Sequence, residues 1–323
     1  MGFVCRFVLA MLIVLGVGAV PIAMAAPPTA RIVGQASVGS DRVDLSIDSP
    51  AMGKVMTVSV LVPPDRDATR GTLYMLDGAS GGDSASDWLT KGKAPEYFRD
   101  KNVTVVLPAG GAGSFYTDWK TNDPTLGRPQ WETFLTRELP PLIDAAFHGN
   151  GRHAVLGLSM GGYSAMALIA RHPEVYTGAA SLSGCPAVSS TPNQAYVYAT
   201  VAREGGSASN MWGAPTSGNW PAHDPTTRLG ALRGKNLFVA AGSGDAGPYD
   251  ENRPADPGQT RELTLALGDA IERAVGSCSR DFTDALHAEG VPVVEHYPAI
   301  GTHSWPYWVD YARLAWPVLS AGL

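Results

Sequence analysis

The sequence predicts an α/β fold, with a mostly parallel central sheet flanked by helices. Short, mostly apolar runs at Leu73 to Leu76, Val103 to Leu107, Ala154 to Leu156, Ala179 to Leu182 and Leu237 to Ala241 have the length of strands buried on both faces. Helical segments alternate with them near Trp131 to Ala146, Gly162 to Arg171, Thr260 to Val275, Arg280 to Glu289 and Trp305 to Leu319. Parallel strands joined by crossovers produce that alternation. No internal repeat or linker divides the chain, and 323 residues that are 45% hydrophobic can bury one large core.

In chain order, the N-terminus comes first. Arg6 precedes an unbroken apolar run from Phe7 to Val20, and Ala23-Met24-Ala25 then supplies the small-x-small pattern of a cleavage site. Residues 1–25 are therefore read as a signal peptide, and 26–323 as one catalytic domain. A retained membrane anchor is the alternative; after cleavage no stable membrane span is expected. Cys5 does not stand at the cleavage point, which argues against a lipid-modified terminus. Residues 31 to 62 alternate apolar and polar, as in Val43-Asp44-Leu45-Ser46-Ile47 and Met56-Thr57-Val58-Ser59-Val60, and read as two antiparallel edge strands. The stretch from Cys185 to Thr226, rich in Ser, Gly, Asn and Trp, reads as a lid or cap insertion above the strand ends, where ligands bind in such sheets.

Composition excludes several classes. Charged residues make up 17% and the formal charge is −6, becoming −7 once Arg6 is removed, so the dense basic surface that nucleic acid requires is missing. Export would leave Cys185 and Cys278 in an oxidising compartment, where a lone pair is expected to be bonded. Neither has the CxxC or Cys/His spacing of a zinc site, and the histidines are scattered. No metal or cofactor is expected.

The chemistry is carried by Gly157-Leu158-Ser159-Met160-Gly161, which follows a strand and opens a helix. In that setting G-x-S-x-G forms a strained turn that lifts the serine hydroxyl clear of the sheet and aims a helix N-terminus at it. This is the nucleophile turn of the α/β-hydrolase fold. A serine hydroxyl needs a base, and chain order in this fold places it far downstream, at His303 in Gly301-Thr302-His303-Ser304-Trp305. For the acid, Asp245 in Gly242-Ser243-Gly244-Asp245, with Asp250 nearby, and Glu272 on the helix Thr260 to Val275 are both placed, and the residues alone favour Asp245. An oxyanion needs the Met160 N–H and a second one from Leu76-Asp77-Gly78-Ala79-Ser80, where Ala79 is the expected donor. Asp77 lies beside the site, placed to hold a hydroxyl-rich substrate.

Together these pieces resemble the secreted mycolyltransferases of the antigen 85 type and their corynebacterial relatives. Those shared with the family are Leu76-Asp77-Gly78, Ser114-Phe115-Tyr116-Thr117-Asp118-Trp119, Trp131-Glu132-Thr133-Phe134-Leu135-Thr136, Gly157-Leu158-Ser159-Met160, Met211-Trp212-Gly213, His223-Asp224-Pro225-Thr226 and Gly301-Thr302-His303-Ser304-Trp305-Pro306-Tyr307-Trp308. The resemblance implies Ser159 as nucleophile, His303 as base and Glu272 as the catalytic glutamate, which moves the acid from Asp245 to Glu272. It implies Ala79 and Met160 as oxyanion donors and Asp77 and Trp305 as sugar contacts. Ser80 stands among the substrate contacts where the family has an arginine, which leaves the acceptor open. The aromatic segment 114–119 is either loop packing or cleft wall.

The implied activity is transfer of mycolyl groups from trehalose monomycolate to trehalose or cell-wall arabinogalactan through a serine acyl-enzyme, outside the cytoplasm at the cell envelope. The rival enzyme is a secreted carboxylesterase of the esterase-D or feruloyl-esterase kind, with water as acceptor. The rival from another class is an extracellular-matrix or cell-wall binding protein with a decayed site.

Overall fold

The computed structural model describes residues 1–2 and 29–323. The expected signal peptide and its cleavage point, with Cys5 and Arg6, lie outside the described residues.

Nine strands form one sheet: β1 (Arg31–Val38), β2 (Arg42–Ser49), β3 (Lys54–Leu61), β4 (Arg70–Leu76), β5 (Thr104–Pro108), β6 (Gly149–Leu158), β7 (Tyr176–Leu182), β8 (Asn236–Ala240) and β9 (Val294–His296). Their order is β1-β2-β3-β5-β4-β6-β7-β8-β9. Pairings from β5 through β4 to β9 are parallel, and β1, β2 and β3 extend the sheet antiparallel. The expected mostly parallel sheet is therefore present, with a correction at its N-terminal edge: three antiparallel strands stand where two were expected. The unforeseen β1 is an edge strand with mostly exposed side chains and a register shift near Gly34, so no buried stripe marks it in the sequence.

The helices are α1 (Ala94–Phe98), α2 (Trp131–Thr133), α3 (Leu139–Phe147), α4 (Met160–Arg171), α5 (Thr191–Arg203), α6 (Ala208–Trp212), α7 (Asn219–Ala222), α8 (Arg261–Ala288) and α9 (Trp305–Ser320). A π-helical turn, Phe134–Glu138, joins α2 to α3. Side chains alternate across the central strands. Val155 of β6 enters a core shared with α3, α4, α5 and α8, while Ala154 and Leu156 enter a second core closed by α1 and α9.

One further correction concerns a helix. The expected break between Val275 and Arg280 does not exist, and α8 runs unbroken for 28 residues. Gly276 is tolerated inside it because the helix passes close to β8's exit, where a Cβ at 276 would stand 3.0 Å from the Gly242 carbonyl. The Ser279 hydroxyl donates to the Gly184 carbonyl at 2.8 Å and ties the same turn down. The expected 185–226 insertion is built from α5, α6 and α7. Val188, Val197, Val201, Met211, Trp212 and Trp220 bury there in the core of the sheet. Asp224 closes its base by accepting from the Val188 and Ser189 N–H groups at 2.9 and 2.7 Å.

Candidate active site

Ser159 occupies the turn between β6 and α4 with φ 53° and ψ −120°, a strained conformation for a residue with a side chain. Its neighbours must be glycine. A Cβ on Gly157 would fall 2.1 Å from the Gly161 carbonyl oxygen, and one on Gly161 would fall 2.4 Å from that of Asp77. The spacing read from the sequence thus has a steric cause, and the turn presses the loop after β4 against the first turn of α4.

His303 sits between β9 and α9, with its Nε2 2.9 Å from Ser159 Oγ and its Nδ1 2.7 Å from Glu272 Oε2. A carboxylate only accepts, so Nδ1 carries the proton and Nε2 is left as the acceptor for the serine hydroxyl. Glu272 is completely buried on α8, and its other oxygen accepts from the Ser183 hydroxyl at 2.7 Å and the Gly242 N–H at 2.6 Å. Such donors offset the desolvation of a buried anion. Ser183, at φ 49°, receives the Trp308 indole N–H at 3.0 Å, and Trp308 also meets the His303 ring edge-on at 4.8 Å.

Asp245, favoured by the residues alone, is not part of this chain of contacts. It pairs with Arg273 at 2.8 Å on the exterior, both side chains more than half exposed. Its loop is clamped through backbone bonds, Gly244 N–H to the Gly301 carbonyl and Gly301 N–H to that of Asp245. The buried carboxylate nearby is Asp250, which the sequence places close to Asp245. It accepts from the Thr302 hydroxyl and the Tyr307 phenol, each at 2.7 Å, and from the Gly247 N–H at 2.9 Å. Asp250 thereby fixes both approaches to His303.

The loop carrying Ala79 runs against the serine: a Cβ on Gly78 would lie 3.7 Å from Ser159 Cβ. Met160 begins α4, so the two expected oxyanion donors belong to segments in mutual contact. Asp77 is fully buried, and its carboxylate accepts from the Ser86 hydroxyl at 3.0 Å and the Asp87 N–H at 3.2 Å. Burial, reinforced by the Asp87 charge, raises its pKa to about 7. In this conformation the carboxylate braces the loop. Ser80 is exposed; its hydroxyl accepts from Arg203 and donates to Glu204 Oε1 at 3.2 Å. Trp305, partly buried, packs edge-on against Trp88 and Trp308. Segment 114–119 resolves to loop packing: Phe115, Tyr116 and Trp119 are buried, and the Phe115 N–H reaches Met160 Sδ at 3.3 Å.

Cys185 and Cys278 are bonded, with Cα atoms 5.1 Å apart, and join the start of the insertion to α8. Among the described residues there is no cluster of three or more His, Cys, Asp or Glu side chains able to hold a metal, and no helix long and apolar enough to cross a membrane.

A family model described as "Putative esterase" matches residues 49–311. The chain is 34% identical over 290 residues to the MPT51/MPB51 antigen of Mycobacterium tuberculosis, covering 89% of this chain and 87% of that protein. It is 32% identical over 309 residues to the diacylglycerol acyltransferase/mycolyltransferase Ag85A of the same organism, covering 90% and 86%. The crystal structure of Mycobacterium tuberculosis MPT51 superposes with a TM-score of 0.72 at 30% identity, over 86% of this chain and 98% of that one. With a model spanning most of its length and relatives aligned nearly end to end, the chain belongs to the esterase family and, within it, to the mycolyltransferases of the antigen 85 type.

Proposed function

We propose that the protein is an acyltransferase that moves mycolyl groups from trehalose monomycolate to trehalose or to cell-wall arabinogalactan through an acyl-enzyme on Ser159. The observation that carries this reading is the unbroken relay from Ser159 through His303 to the buried Glu272. The name of the Ag85A relative supports acyl transfer as the reaction class.

In the first half-reaction His303 Nε2 takes the Ser159 proton as Oγ attacks the ester carbonyl. The Ala79 and Met160 N–H groups hold the oxyanion, and Glu272 stabilises the imidazolium. Collapse breaks the ester bond, and the departing sugar oxygen takes the proton from His303. In the second half a sugar hydroxyl gives its proton to His303 and attacks the acyl carbon, and Ser159 recovers its proton. Asp77, Ser80 and Trp305 belong to the sugar side of the site, Asp77 by shaping the loop. The mechanism calls for no metal or organic cofactor. One catalytic domain over 26–323, exported by the leader at 1–25, fits the Cys185–Cys278 bond, which suits an oxidising compartment. The intact relay argues against a matrix-binding protein with a decayed site.

The test is incubation of the mature protein with trehalose monomycolate and labelled trehalose, with Ser159→Ala as blank. Dimycolate and label exchange in excess of free acid are expected. Free acid alone establishes water as the acceptor and makes the protein an esterase.

A further inference from the structure

His303 is held by more than its acid. Its ring bonds to Glu272, and its backbone N–H donates to the Gly268 carbonyl at 3.2 Å, one helical turn before Glu272 on α8. Thr302 directly before it and Tyr307 in the first turn of α9 both donate to Asp250, each at 2.7 Å. Asp250 is 2% exposed, and its third donor, the Gly247 N–H, belongs to the turn that Asp250 itself closes. Burial, and then the bond to Asp250, pushes the Tyr307 phenol pKa up, so the phenol remains a donor at neutral pH.

The segment carrying Asp250 is anchored to both elements that it joins. Arg261 in the first turn of α8 donates to the Asp250 and Glu251 carbonyls at 2.8 Å each, and the Asp256 N–H donates to Thr264 Oγ1 at 2.8 Å. On the α9 side, the Tyr249 ring meets that of Tyr307 edge-on at 5.1 Å, and its phenol donates to Asp310 at 2.7 Å. Gly247 presses on the same partner: a Cβ there would fall 2.6 Å from the Tyr307 oxygen. Asp250 thus ties the loop of the base to the helix of the acid. A buried carboxylate carries a desolvation cost that an apolar side chain of similar size does not, so packing alone does not account for it.

We propose that Asp250 is a positioning residue for the acyl transfer: by accepting from Thr302 and Tyr307 together, it fixes where His303 Nε2 stands relative to Ser159 Oγ. The inference rests on the acyl-enzyme reading. Asp250 exchanges no proton with substrate and acts through the residues on either side of His303. The bond to Glu272 fixes one ring nitrogen and leaves the ring a pivot about it, along which Nε2 leaves its 2.9 Å contact with Ser159. A displacement of about 1 Å at such a contact costs up to about 10²-fold in rate.

The experiment follows the p-nitrophenol burst of the mature protein with p-nitrophenyl butyrate; its amplitude counts competent sites and its rate constant reports acylation at each. Asp250→Ala removes the acceptor and is expected to lower the rate constant at least about tenfold with KM within about twofold, while Asp250→Asn, which still accepts on one side, recovers part of the loss. Tyr307→Phe alone is expected to cost a few-fold, and little more when added to Asp250→Ala, since its arm is already released. A fall in amplitude or Tm with an unchanged rate constant means that Asp250 serves stability alone and overturns the inference, as does full additivity of the pair. If Asp250→Ala fails to fold, Tyr307→Phe and Thr302→Val decide by the same rate constant. Absence of a wild-type burst overturns the acyl-enzyme reading and this inference with it, an outcome distinct from a burst that the variants leave unchanged.

Discussion

Glu272 and Ser80 belong to one site and are held in opposite ways. Glu272 is fully buried and accepts from His303, Ser183 and the Gly242 backbone, each of them fixed in turn by the sheet or by α9. Ser80 is exposed and held by Arg203 and Glu204, two long side chains at the end of the cap helix, with Arg203 64% exposed. The acid side is preorganised at every atom. The Ser80 rim is held by groups that exchange readily with water or with substrate hydroxyls. Chemistry that must be identical at each turnover sits on the first, and acceptor choice, which needs adjustable contacts, sits on the second.

The largest expected effect lies on the acid side. Glu272→Gln keeps the volume but removes the charge that stabilises the His303 imidazolium and offers an amide group to Nδ1. By analogy with serine hydrolases generally, kcat is expected to fall about 10³-fold with KM little changed. Asp245→Asn, which breaks only an exposed pair with Arg273, is expected to leave kcat within about twofold. Steady-state kinetics on both variants checks the pair. Equal losses would mean that the acid role is shared and that the contrast between buried and exposed carboxylates is false.

The reason the sequence pointed first to Asp245 is physical. A turn of two glycines after a strand is a local signal, and Gly242-Ser243-Gly244-Asp245 has it. Which way the carboxylate points is decided by backbone bonds to Gly301, more than fifty residues away. Ser159 and His303 were legible because the glycine spacing and the chain order are themselves local or topological facts. The parallel strands were legible because burial on both faces leaves unbroken apolar runs. The edge strand β1 buries little and left no trace. The continuity of α8 through Gly276-Ser277-Cys278-Ser279 was hidden because tertiary contacts to Gly242 and Gly184 override weak helix formers. Ser183, and the contacts of Asp250 with Thr302 and Tyr307, act across separations that no pattern records.

Between the two regions lies Asp77, buried like the acid but part of the acceptor loop. Its folded pKa, raised from 3.8 to about 7, means that the native state holds a proton the unfolded chain has released. The stabilisation is fully present below about pH 3.8 and is lost as pH rises through about 7, a change on the order of 4 kcal/mol for this one group. Denaturant unfolding between pH 4 and 8 is expected to show that decline superimposed on the other titrations, and Asp77→Asn, which keeps an acceptor for Ser86, to flatten it. A wild-type and variant pair with parallel pH profiles would show that the Asp77 carboxyl titrates alike in both states. It would then be held as firmly as Glu272, and the loop would belong with the rigid half.

The smallest effect is expected at the rim, where it is also the most informative. Arg203→Ala removes the donor to Ser80 and the exposed half of a pair with the partly buried Glu204, so the stability cost should stay near or below about 1 kcal/mol. The acylation burst should be unchanged, because nothing in the Ser159–His303–Glu272 relay touches Arg203. What should move is the KM for the acceptor sugar, by a few-fold, since the end of α5 loses its tie to the residue following Ala79. A drop in kcat for acylation would instead mean that the α5 anchor holds the oxyanion loop itself in register. The rim would then be part of the preorganised machinery.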